Sequence, residues 1–118
     1  MADDVTVYGI PNCDQVRRAR AWLDLHDVVY RFHDFRRDGC GAALVARFID
    51  AVGAEHLINR RGTTWRALDE LRRSEVDSDA GARDLLVANP ALIKRPVLAF
   101  GARIMVGFDD PSYTRLFA

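Results

Sequence analysis

The chain has 118 residues, with 17 Lys and Arg against 17 Asp and Glu and a formal net charge of zero. That balance gives no support for a dominant electrostatic grip on nucleic acid or an acidic membrane. Hydrophobic residues make up 49% and charged residues 29%, the mix of one soluble domain with a real core. The start, Met1-Ala2-Asp3-Asp4, is acidic and lacks the basic-then-apolar pattern of a signal peptide. No apolar run approaches the roughly 18–20 residues that span a bilayer. Two cysteines, Cys13 and Cys40, are too few for a disulfide scaffold, so the expected location is the reducing cytoplasm.

Val5–Tyr8 reads as a first strand, followed by a turn over Gly9–Asn12. From Cys13 to His26 the spacing becomes helical: Val16, Ala19 and Leu23 share a face, with Trp22 beside them. Val28–Phe35 is the next strand candidate, with Val28, Tyr30 and Phe32 alternating with Val29, Arg31 and His33. A β-α-β opening with a helix of about a dozen residues implies a parallel pair joined by a crossover.

Arg36–Gly41 is a charged turn. Helical segments follow at Ala42–Val52, Glu55–Asn59, Thr64–Arg73 and Asp79–Ala88. Thr63 or Thr64 can cap the third, Ser78 the fourth, and Pro90 marks a stop. Strand signals return at Val97–Phe100 and Ile104–Val106, with Gly101 at the first central position of a type II′ hairpin. Asp109–Phe117 reads as a last helix with Pro111 in its first turn. The order is β-α-β, a helical block, then β-β-α: an α/β chain in thioredoxin-like order with helices inserted at about residues 41–92.

Cys13 stands at the junction of the first strand and first helix, where backbone N–H groups and the helix dipole favour an anion. That is a position for a nucleophile; the alternative is a buried structural thiol. Asn12 and Asp14 are candidate caps for the same helix. Cys40, between Gly39 and Gly41, is either a resolving thiol for Cys13 or an incidental exposed one. Arg60 and Arg61, before Gly62-Thr63-Thr64-Trp65, form either an anion-binding corner or a charged loop. Trp22 and Trp65 read as packing residues. His26, His33 and His56 show no metal-type spacing with either cysteine, so no metal is expected. Position 19 is alanine, which excludes a tyrosine-phosphatase loop built on Cys13.

Val-Tyr-Gly-Ile-Pro-Asn-Cys-Asp (7–14), Arg-Gly-Thr-Thr-Trp-Arg (61–66) and Ile-Lys-Arg-Pro (93–96) together resemble the arsenate reductase (ArsC)/Spx family, most closely its YffB-like branch. The resemblance runs from about residue 5 to residue 117 and implies a single thioredoxin-like domain over 1–118 with a helical insert. It implies that Cys13 is the catalytic nucleophile and that the Arg95–Pro96 bond is cis, opposite it. Backbone groups beside that bond are then expected to be free for a bound peptide or glutathione. Arg95 is expected to stabilise the thiolate and grip a carboxylate or oxyanion. Asn12, Arg60, Arg61 and Pro96 complete the substrate-binding set.

Two departures from the family pattern redirect the expectation. Of the three arginines of arsenate reductases, only Arg95 is matched; Asn59 and Val106 stand at the other positions. In Cys13-Asp14-Gln15-Val16, valine replaces the resolving cysteine that Spx-type regulators often carry. The expected activity is therefore a thiol reductase that uses glutathione or glutaredoxin as reductant on a small-molecule or disulfide substrate, with arsenate disfavoured. Glutathione enters as a co-substrate, and no cofactor is tightly bound. The alternative is an Spx-like regulator that binds RNA polymerase without turnover.

Overall fold

The computed structural model describes residues 4–118. The chain divides into two units: one holds the residues up to Asp38 together with Arg95–Ala118, the other Gly39–Lys94.

The first unit opens with strand β1 (Val5–Gly9), helix α1 (Asp14–Leu25), strand β2 (Arg31–Asp34) and the single turn α2 (Phe35–Asp38). The second unit is helical: α3 (Ala42–Val52), α4 (Ala54–Leu57), α5 (Thr63–Ala67), α6 (Glu70–Arg73) and α7 (Asp79–Ala88). Two 3₁₀ turns, Ser74–Asp77 and Pro90–Leu92, complete it. The chain then returns to the first unit with β3 (Val97–Phe100), β4 (Arg103–Val106) and α8 (Asp110–Leu116).

The sheet order is β2-β1-β3-β4. β1 and β2 run parallel, while β1–β3 and β3–β4 are antiparallel. This is the thioredoxin-like arrangement implied by the order of elements. The β3–β4 hairpin turns at Gly101, whose φ of 58° suits the first central position of a type II′ turn.

The first unit's core lies where α1 and α8 meet one face of the sheet. Val5, Val7, Ala19, Trp22, Leu23, Leu98 and Tyr113 form a buried cluster. The apolar face of α1 is the one its helical spacing implies: Val16, Ala19, Trp22 and Leu23 are its buried residues. Trp22 also donates its indole N–H to the Asp110 carboxylate at 3.0 Å, tying α1 to α8. Asp109 caps α8 by accepting from the Ser112 N–H, and that hydrogen bond holds its carboxyl below the usual range.

Several local expectations need correction. β2 is shorter than Val28–Phe35, because the chain stays irregular through Tyr30 and Phe35 begins α2. Its alternation nonetheless holds: Val28, Tyr30 and Phe32 pack on the core, while Val29 is exposed. Thr64–Arg73 is not one helix. Leu68 is extended, and Asp69 restarts the chain as an N-cap by accepting from the Arg72 N–H at 2.8 Å. Neither Thr63 nor Thr64 caps α5; Gly62 is its N-cap. Ser78 does cap α7, accepting from the Gly81 N–H at 3.0 Å. Among the described residues no helix is long and apolar enough to cross a membrane.

Candidate active site

Cys13 is the N-cap of α1, in an extended conformation with φ −108° and ψ 129°. Its carbonyl accepts the Arg17 N–H at 2.9 Å, while its thiol caps no backbone group. The side chain is half-buried and the thiol is free. The orphan N–H groups of a 12-residue helix begin immediately after it. This corrects the capping roles considered for Asn12 and Asp14. Asn12 is exposed in the turn, and Asp14 lies in the first helical turn with Arg18 as its ion partner at 3.1 Å.

The strand and the helix meet closely. A β-carbon on Gly9 would come within 2.7 Å of Val16 Cγ2, so only glycine fits there. Val16 is fully buried. The position that would carry a resolving cysteine is therefore core, and any second thiol must come from elsewhere.

Sheet geometry brings Arg95 and Pro96 to the same end as Cys13. In the antiparallel β1–β3 pair, Tyr8 faces Val97, the residue after Pro96, at the end of β1 that leads to Cys13. The Arg95–Pro96 bond is cis. Pro96 is buried and Arg95 half-buried. The Pro96 carbonyl accepts the Gly107 N–H at 2.8 Å, so it is committed within the sheet rather than left for a ligand. Val106, which pairs with Val97, stands at this same end and brings no charge. At the end of α2, Asp38 accepts two hydrogen bonds from Arg37, at 3.1 and 3.0 Å. The same pairing depresses the Asp38 carboxyl.

Arg60 and Arg61 belong to the second unit. Asn59 Oδ1 accepts the Arg61 N–H at 3.0 Å, so this asparagine shapes the corner. Trp65 is not a core residue: it is half-exposed, with the guanidiniums of Arg60 and Arg73 at 5.2 and 5.7 Å from its ring. Sequence reasoning missed Glu55 and Lys94, which line a cleft of about 350 Å³ together with Arg60 and Arg61. Lys94, the only lysine in the chain, was the available signal. Cys40, in the same unit, is half-buried rather than exposed, and burial pushes its thiol up to about 11.

The sequence model of the ArsC family matches residues 8–116. The chain belongs to the ArsC family. This ArsC-family chain is similar to the solved YFFB protein, at 40% identity and a TM-score of 0.91, covering 97% of this chain and 99% of that one. An arsenate reductase (ArsC) related protein from Brucella melitensis is 46% identical, with a TM-score of 0.77 and coverage of 97% and 94%. Among curated relatives, the global transcriptional regulator Spx of Streptococcus mutans is 30% identical over 112 residues, 90% of this chain and 77% of its own.

Proposed function

We propose that this ArsC-family protein is a cytoplasmic thiol reductase in which Cys13 is the nucleophile and glutathione, alone or through glutaredoxin, is the reductant. The observation that carries the reading is Cys13 at the N-cap of α1, with buried Val16 where a resolving cysteine would stand. A nucleophile without a local partner needs a second thiol to turn over.

The Cys13 thiolate attacks one sulfur of a disulfide RS–SR′. The S–S bond breaks, R′S⁻ leaves and takes a proton, and a Cys13–S–S–R bond forms. A glutathione thiolate attacks the Cys13 sulfur, releasing RS⁻ and leaving Cys13–S–S–glutathione. A second glutathione attacks the glutathione sulfur and frees the Cys13 thiolate. In sum, two glutathiones are oxidised to their disulfide and RS–SR′ is reduced to two thiols.

Arg95, at the Cys13 end of the sheet, supplies a guanidinium for a glutathione carboxylate or a substrate oxyanion. Asn12 and Pro96 flank that end, and Arg60 and Arg61 are the second unit's anion-binding groups. Arsenate is disfavoured, because Asn59 and Val106 occupy positions where arsenate reductases place arginine. The test is glutathione-dependent reduction of a small disulfide, with and without glutaredoxin, by the native protein and Cys13→Ser. Turnover by the native protein alone supports the reading; equal turnover in the variant sinks it.

The likeness to Spx favours a second reading, a regulator that binds RNA polymerase without turnover. Co-purification with polymerase subunits that Cys13→Ser leaves undiminished, together with no reductase activity, would favour it.

A further inference from the structure

Two backbone segments of the second unit are clamped together. Ile58 and Ile93 form an antiparallel bridge. Beside it the Lys94 N–H donates to the Leu57 carbonyl at 2.8 Å, and the Asn59 N–H to the Leu92 carbonyl at 2.7 Å. Leu57, Ile58, Leu92 and Ile93 are all buried, with 1% exposure or less. The clamp is therefore anchored in the core, and Asn59 and Lys94 leave it directly.

The cleft above this clamp is lined by Glu55, Ile58, Arg60, Arg61 and Lys94 and has a volume of about 350 Å³. That is the small end of the roughly 300–1,000 Å³ range for small-molecule sites. Arg61, Lys94 and Glu55 are exposed. Among the described residues none of these three forms a side-chain ion pair within the chain. Arg60 is turned over the Trp65 ring.

A carboxylate among three cations is a poor design for a simple oxyanion, since it repels the ligand. It suits a ligand that carries an anion and a cation on neighbouring atoms. We propose that this cleft binds the zwitterionic α-amino-acid end of a glutathione-type thiol, with its carboxylate on Arg61 and Lys94 and its ammonium on Glu55. The inference rests on the reading that glutathione is the co-substrate. It adds Glu55 and Lys94 as specificity residues and makes the cleft selective for the free amino group, not for anions in general.

The test uses S-methylglutathione, which cannot form a disulfide, with glutarate and inorganic phosphate as probes lacking the ammonium. Calorimetric titration of the Cys13→Ser protein is expected to show S-methylglutathione binding more tightly than either. Arg61→Ala and Lys94→Ala should each weaken it about tenfold, the scale of one charge-assisted hydrogen bond. Glu55→Gln should weaken S-methylglutathione while leaving glutarate and phosphate unchanged or tighter. All three positions are exposed, so the fold is not at stake. Glutarate or phosphate binding as tightly as S-methylglutathione would overturn the proposal, as would affinity unchanged in all three variants. The two readings fail separately. Binding of S-methylglutathione, with no adduct on Cys13 when the native protein is given glutathione and a small disulfide, would remove the reductase reading alone. A native Cys13 adduct with unchanged S-methylglutathione affinities in the variants would remove the cleft alone.

Discussion

Gly9 and Val16 are in direct van der Waals opposition: Val16 Cγ2 lies 2.7 Å from where a β-carbon on residue 9 would sit. This contact sets how closely α1 approaches β1, and Cys13 lies on the four-residue connection between them. Gly9→Ala should therefore destabilise the protein by about 1–3 kcal/mol, the usual cost of overpacking. It should also lower the alkylation rate of Cys13 by displacing the helix start. Adding Val16→Ala removes the opposing methyl groups, so the double variant should be less destabilised than the sum of the singles. Denaturant unfolding of the four proteins checks this; strict additivity would mean that the two residues do not oppose each other.

Val16 stands three residues after Cys13 and is fully buried. Val16→Cys restores a resolving thiol at the point where the chain lacks one. The expected result on oxidation is a disulfide between Cys13 and the introduced thiol, seen by intact mass and peptide mapping. Accumulation of a Cys13–glutathione adduct should fall several-fold, because the local thiol displaces glutathione faster than a free one. Undiminished adduct would show that position 16 cannot reach Cys13.

The two cysteines should differ in reactivity. Burial holds the Cys40 thiol at about 11, so near neutral pH it is almost wholly protonated and slow to alkylate. Cys13 is the N-cap of a helix. Iodoacetamide at pH 7.5 followed by peptide mapping should label Cys13 first, with Cys40 catching up only at strongly alkaline pH. Equal labelling at neutral pH would contradict this.

Tyr113 is fully buried, and its hydroxyl has no hydrogen-bond partner among the described residues. Burial, with the Asp109 charge adding to it, holds the phenol well above its ordinary value. In the unfolded chain it ionises at about 10. Above that pH the unfolded state loses a proton that the folded state keeps, so stability falls as pH rises. Tyr113→Phe should be neutral or stabilising at pH 7, since it removes an unpartnered buried hydroxyl. It should also flatten the decline above pH 10, as thermal unfolding from pH 8 to 11 will show. A steeper decline in the variant would contradict the assignment.

Where periodicity was strong, the sequence led directly to structure. The apolar face of α1 and the β3–β4 hairpin at Gly101 followed from local pattern and turn chemistry. The break at Leu68 did not, because Asp69 competes for the backbone as a cap inside a run that otherwise reads as continuous helix. At the site the usual capping residues misled: Asn12 and Asp14 stand on either side of Cys13, which is itself the N-cap. That Arg95 lies at the end of the sheet where β1 leads to Cys13 was legible only through the family resemblance, since no local pattern reports an antiparallel register between distant strands. Glu55 and Lys94 are brought beside Arg60 and Arg61 by the Ile58–Ile93 bridge, a pairing that spacing does not reveal.

The most direct test of the central claim is the fate of Cys13 during turnover. Rapid acid quenching of the protein with a small disulfide and glutathione, followed by intact mass and peptide mapping, reads it. One glutathionyl adduct, confined to Cys13, is expected to form and decay at rates matching turnover and to be absent from Cys13→Ser. Turnover without that adduct, or turnover retained in Cys13→Ser, would contradict it.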